Sequence, residues 1–180
     1  MESNFQEDGT LSPGVHPMNL EGFKAYFVDK FPKSSTRRKI YRGFKRYVVK
    51  IYCLGVLHSV FVDGSYVTKK DSPGDIDISL VYNASKVEAL SSTEKEILWN
   101  LTSDSFQEEN KRKFDTHPYL CIGLYPPTNK ELYLRSKKRI SQCLAFWGHD
   151  RKKQPKGLVY IPFQEGAFED MRRVLHEKQI

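Results

Sequence analysis

Long hydrophobic runs are missing from this sequence. Nowhere does it approach the roughly 18 consecutive apolar residues that a membrane-spanning helix needs. Cysteine is scarce, with three in 180 residues. Cys53, Cys121 and Cys143 are odd in number, far apart and set among apolar neighbours, whereas a disulfide scaffold or a zinc site draws on close pairs. The half-pairs His117 with Cys121 and Cys143 with His149 each lack a second close pair, so the thiols read as reduced and packed. Internal repeats, low-complexity tracts and interdomain linkers are also missing. The first ten residues, MESNFQEDGT, are polar and acidic, unlike a secretory leader. The expectation is a soluble, cytoplasmic protein with no membrane partner.

Acidic residues are absent from one long stretch. Between Phe31 and Val62 there are eight Lys or Arg and no Asp or Glu, while the rest of the chain carries 21 basic against 22 acidic groups. The whole net charge of +7 is therefore concentrated in 32 residues. A localised positive field favours a phosphate-bearing partner, either a nucleotide or a nucleic acid. With 39% hydrophobic and 28% charged residues, the composition is that of a globular chain long enough to bury one core.

The periodicities predict a single α+β domain over 18–180, preceded by a flexible arm over 1–17 that is rich in Gly and Pro. Asn19 is placed to cap a first helix that ends before Pro32. Ile40, Phe44, Tyr47, Val48 and Ile51 then form one stripe of a second helix, with Arg38, Lys39, Arg42, Lys45, Arg46 and Lys50 on the opposite side. Strands are expected over 57–62, 75–82, 119–125 and 158–163. Helical sequence is expected over 86–113, 128–147 and 168–178. In the second strand Asp75, Asp77 and Ser79 share one face, and Ile76, Ile78 and Leu80 share the other.

Two carboxylates at i and i+2 on a strand project from the same face and repel, so a folded chain usually sets a cation between them. Hard divalent cations such as Mg²⁺ prefer carboxylate oxygens and exchange their waters for phosphate oxygens. A Gly-Ser turn beside such a pair lets backbone amides approach phosphates. Val62-Asp63-Gly64-Ser65, nine residues, and then Asp75-Ile76-Asp77-Ile78 resembles the signature of the DNA polymerase β-type nucleotidyltransferase superfamily. A wider likeness joins Pro13 to His16, the basic helix, the Gly-Ser turn, the Asp pair, Asp150-Arg151 and Lys156 to Val159. It is similar to a family of small bacterial and phage nucleotidyltransferase-like proteins of undefined function.

That resemblance implies a mixed β-sheet flanked by helices. It also implies transfer of a nucleoside monophosphate from an NTP to an acceptor hydroxyl, with Mg²⁺ or Mn²⁺ as cofactor. Gly64 and Ser65 would contact the triphosphate, and Asp75 and Asp77 would bind metal. Asp115, ahead of the third strand, would supply a third carboxylate as catalytic base, although Thr116-His117-Pro118 follows it. Lys69 and Lys70 lie in the spacer and are candidate phosphate contacts. Arg38, Arg42, Lys45, Arg46, Lys152 and Lys153 are candidates for a nucleic-acid or phosphate surface. Asp63 reads as a turn cap, His58 as packed in its strand, and Tyr41, Tyr47 and Tyr52 as core or boundary residues. The acceptor is RNA, a protein or a small molecule, with RNA favoured by the charge. Toxin and phage-defence settings are those of small stand-alone members of the superfamily. The alternative is a catalytically inactive module of the same fold that binds RNA or a partner protein. The NTP base and the oligomeric state leave no mark in the residues.

Overall fold

Hydrophobic alternation in the middle strands decides how the sheet of this protein is covered. A computed structural model describes residues 4–167. Its strands are β1 (Gly14–Pro17), β2 (Leu57–Asp63), β3 (Ile76–Asn83), β4 (Thr116–Leu124) and β5 (Gly157–Pro162). They form one mixed sheet in the order β1-β5-β2-β3-β4. β2 runs antiparallel to both β3 and β5, whereas β4 is parallel to β3 and β1 parallel to β5. Val60, Val62, Ile76, Ile78, Leu80, Val159 and Ile161 pack on one face against the first helices. Phe61, Val81, Ile122, Leu158 and Tyr160 pack on the other against Ile140, Cys143 and Trp147. Each of the three middle strands, β5, β2 and β3, thus serves two cores through its period of two. The chain is an α+β domain with helices on both sides of its sheet.

The helices are α1 (Leu20–Lys24), α2 (Arg37–Tyr52), α3 (Ala84–Glu88), α4 (Ser92–Thr102), α5 (Gln107–Phe114) and α6 (Lys130–Trp147). Asn19 caps α1 by accepting from the Gly22 amide, and the helix runs on as one turn of π-helix over Ala25–Asp29. The apolar stripe of α2 is buried as its spacing predicts: Phe44, Tyr47 and Val48 are all fully shielded. Truncating either aromatic ring to Ala would cost about 3–5 kcal/mol. The helical stretch expected over 86–113 resolves into α3, α4 and α5. Ser91 and Glu94 start α4 with reciprocal capping bonds. No helix among the described residues is long and apolar enough to cross a membrane. The three cysteines are free thiols, with Cys143 buried and Cys53 exposed.

Two expectations need correction. The segment 1–17 is not an unstructured arm throughout: Gly14–Pro17 is an edge strand on β5, and Leu11 is only 1% exposed. Backbone pairing with a strand distant in sequence supplies order that local Gly and Pro content hides. The third expected strand begins at Thr116 rather than near Tyr119. Pro118 lies within it because β4 is an edge strand, where a missing amide is tolerated. The helix expected over 168–178 lies outside the described residues.

Candidate functional site

β2 and β3 are joined through a turn that only glycine accommodates. Gly64 has φ 77° and ψ −167°, a region that side chains exclude. A Cβ there would also stand 2.0 Å from Asp77 Oδ2. The turn can therefore press its backbone against the Asp77 carboxylate. Ser65 opens a single 3-10 turn, Ser65–Val67, immediately afterwards.

The loop from that turn to β3 is held by one buried cation. Arg37 opens α2 and is fully buried. Its guanidinium donates to the carbonyls of Phe27, Tyr66, Thr68 and Lys70 at 2.6–3.3 Å. Burial pulls its pKa below the ordinary arginine value, and the polar carbonyls take the place of water around it. Arg37 belongs to the basic stretch but fixes the phosphate-candidate loop from inside.

Strand register brings the acidic groups together. Asp63 lies opposite Asp77, and Asp77 opposite His117, so one row crosses β2, β3 and β4. His117 Nδ1 donates to Asp77 Oδ1 at 3.1 Å. Asp75, Asp77 and His117 each offer a ligand atom within 4.8 Å of the others. Asp75 is held by Lys111 of α5 at 2.7 Å, and this bond raises the Lys111 pKa. Asp63 pairs with Lys156, and both side chains are largely shielded, at 10% and 12% exposure. Burial raises the Asp63 pKa even against that neighbouring ammonium. Asp77 is raised as well, first by burial and then by the charge of Asp75, with His117 opposing.

These groups open into a cleft of about 920 Å³. Gly64, Ser65, Asp75, Asp77 and Lys70 line it, as the sequence leads one to expect. Asp63, Lys111, His117, Arg151 and Lys156 line it as well, and the sequence pattern does not mark them for it. Asp63 is no simple turn cap. It ends β2 with its carboxylate turned toward Lys156. The missed residues have a faint signal: alternation from Thr116 puts His117 on the face of Asp77, once β4 is known to start there.

The structure does not bring Asp115 to this cleft. It closes α5 in a left-handed conformation, φ 50°, and accepts from Lys39 of α2 at 2.9 Å. The cause is a close approach between helices. At Gly43 of α2 a Cβ would lie 1.9 Å from the Phe114 carbonyl, so the end of α5 rests against α2 and turns Asp115 toward it. Asp115 shares a second depression, about 510 Å³, with Lys39, Arg42, Lys45 and Arg46. The position facing Asp77 on β4 belongs to His117. Lys69 is also absent from the cleft lining. Its ammonium stands over the Phe5 ring, 5.8 Å from the centroid. Lys152 and Lys153 are exposed on a turn knotted by Asp150, whose Oδ1 accepts from the Lys152 and Gln154 amides at 2.8 Å. Arg38, Arg42, Lys45 and Arg46 lie on the outer side of α2, away from the buried stripe. His58, Tyr41 and Tyr47 are buried, and Tyr52 is half exposed beside Phe163.

Fold and site together describe an α+β domain whose sheet carries an Asp-Asp-His cluster next to a Gly-Ser turn. The chain belongs to the Family of unknown function (DUF6932), which matches residues 3–162. No curated protein and no solved structure matches it.

Proposed function

We propose that this protein is a divalent-metal-dependent nucleotidyltransferase that moves a nucleoside monophosphate from an NTP to an acceptor hydroxyl. One observation carries the reading: the Gly64-Ser65 turn and the Asp75-Asp77-His117 cluster share one cleft. This adds spatial closeness to the sequence resemblance with the DNA polymerase β-type superfamily.

The donor set suits a divalent cation, since two carboxylates and an imidazole each offer a ligand atom within 4.8 Å of the others. With His117 as a direct ligand the preference moves from Mg²⁺ toward Mn²⁺. The cation would supply Lewis-acid charge neutralisation at the phosphates when bound. The amides after Gly64 and the Ser65 hydroxyl orient the triphosphate, and Lys70, Lys111 and Arg151 add positive charge around it. The acceptor oxygen attacks the α-phosphorus, the bond to the bridging oxygen breaks, and pyrophosphate leaves. Two further carboxylates line the cleft, Asp63 and Asp150, and Asp115 is not among them. Asp150 is tied to the amides of its own turn, so Asp63 is the one that can receive the acceptor proton. An RNA acceptor agrees with the basic outer face of α2, and a cytoplasmic setting agrees with NTP as substrate.

A specific observation favours a second reading, that of a binding module without catalysis. Asp75 and Asp63 each already have a lysine partner within the chain. One experiment separates the two. The protein is incubated with each α-labelled NTP, Mg²⁺ or Mn²⁺, and total RNA and protein, beside Asp75→Ala/Asp77→Ala. Label transferred by the intact protein alone supports the enzyme and identifies the acceptor class. No transfer, with salt-sensitive RNA retention that survives the double substitution, supports the module.

A further inference from the structure

The cleft has an aromatic wall that the phosphate and metal chemistry does not use. Pairing of β3 with β4 slips after Ile78: Ile78 faces Pro118, but Ser79 faces Leu120. Tyr119 is the extra residue, and bulges of this kind re-aim a side chain. Tyr119 is 47% exposed and Phe146, near the end of α6, is 64% exposed. Their rings lie nearly parallel, 9° apart with centroids at 5.7 Å. Trp147, almost fully buried, backs Tyr119 at 5.9 Å, and His117 meets its edge at 6.1 Å. Tyr119, Phe146 and Trp147 all line the cleft that holds Gly64, Asp75 and Asp77.

Two large rings stacked in water leave apolar area exposed that a fold would otherwise cover. An apolar peptide would fit the rings but not the charged surroundings, where Lys70, Lys111 and Arg151 stand beside an Asp75-Asp77 pair that would accept phosphates through a bound cation. A ligand that is planar and apolar at one end and multiply anionic at the other satisfies both. That description is a nucleotide. We infer that Tyr119 and Phe146 form the stacking platform for the base of the bound nucleotide, on the reading that its phosphates lie at Gly64-Ser65. Every base has a π-face, so such a platform holds the four bases comparably and leaves discrimination to other contacts.

The test is calorimetric titration of the full chain in Mn²⁺ with two probes, a non-hydrolysable α,β-methylene ATP and inorganic tripolyphosphate. The variants are Phe146→Ala, Tyr119→Ala/Phe146→Ala and the ring-retaining Phe146→Tyr. The wild type is expected to bind the ATP analogue more tightly than tripolyphosphate. The alanine variants should lose about 5- to 150-fold in analogue affinity, with tripolyphosphate unchanged and Phe146→Tyr close to wild type. Unchanged tripolyphosphate binding also shows that these variants are folded. Equal affinity of the wild type for both probes, or full analogue affinity in the double alanine variant, overturns the platform and leaves the phosphate site standing. Binding of neither probe overturns the platform together with the nucleotide reading on which it rests.

Discussion

Asp77→Asn should make this protein more stable without metal and less stable with it. The Asp77 carboxylate is mostly buried and lies within 4.8 Å of an Asp75 oxygen. Two like charges at that distance repel by about 1 kcal/mol at the dielectric of water and about 3.5 kcal/mol at an effective value of 20. Lys111 and His117 offset part of this, so a net gain of about 1–2 kcal/mol on neutralising Asp77 is expected. Asparagine keeps an oxygen for His117 Nδ1, so the hydrogen bond at that end survives. For a chain of this size the gain is a rise of about 2–8 °C in Tm. The pH dependence has a definite sign. The Asp77 carboxyl titrates above its ordinary 3.8 in the folded chain. Its contribution to stability is therefore full below that value and is lost as pH rises through the raised pKa. The advantage of the asparagine variant should be absent near pH 3.8 and grow toward neutrality. Thermal denaturation from about pH 4 to 8, with EDTA or with Mn²⁺, is the assay. A cation at 100 times its Kd adds about 2.7 kcal/mol to the wild type, which reverses the order if the variant no longer binds it. A variant less stable than wild type in EDTA at neutral pH, or equally stabilised by Mn²⁺, refutes the reasoning.

Lys156→Met should destabilise the fold by about 3–5 kcal/mol, because it leaves the Asp63 carboxylate buried without its ammonium. Asp63→Asn/Lys156→Met should recover most of that loss in urea denaturation, and a double variant as unstable as the single one would show that the pairing is not the cause. Arg37→Met removes the donor from four carbonyls and should cost at least about 3 kcal/mol. Heightened proteolysis within 66–74 should accompany it, and an unaltered cleavage pattern would mean the loop is held otherwise. If the outer face of α2 binds single-stranded RNA, Arg42→Glu/Lys45→Glu/Arg46→Glu should weaken retention and lower the salt slope by about 0.7 for each phosphate no longer neutralised. An unchanged slope would remove α2 from the interface.

Local patterns are legible where burial is periodic. The α2 stripe, β2, β3 and the Asp75-Asp77 face all follow from side-chain spacing, because the core on each side of the sheet reads every second residue. What escapes such spacing depends on distant partners. β1 is ordered by β5, and β4 starts early because its parallel pairing with β3 carries Thr116 and His117 along despite Pro118. Asp115 precedes that strand directly, yet its side chain is decided by the meeting of α2 and α5 at Gly43. No pattern within either segment announces that meeting. The same holds for Arg37, whose charge looks like its neighbours' until the loop it anchors is folded around it.

The two lysines that pair with carboxylates of the cleft are not equivalent, and their difference ranks the sites for a cation. Lys156 and Asp63 are shielded at 12% and 10% exposure, so separating them strands a buried charge at each end. Lys111 and Asp75 are 38% and 24% exposed. A pair at that exposure is worth at most about 1 kcal/mol, and the lysine stem can swing its ammonium into water. Competition for Asp75 is thus weak, while competition for Asp63 is strong. Asp77 belongs to both neighbourhoods by register, so it is the carboxylate that a cation would share whichever partner it takes. For a bound cation, the energetics would favour Asp75 and His117 as the other two ligands, on the β4 side of Asp77. They would leave Asp63 and Lys156 as the wall on the β2 side, where removing the lysine should cost far more stability than drawing Lys111 away from Asp75.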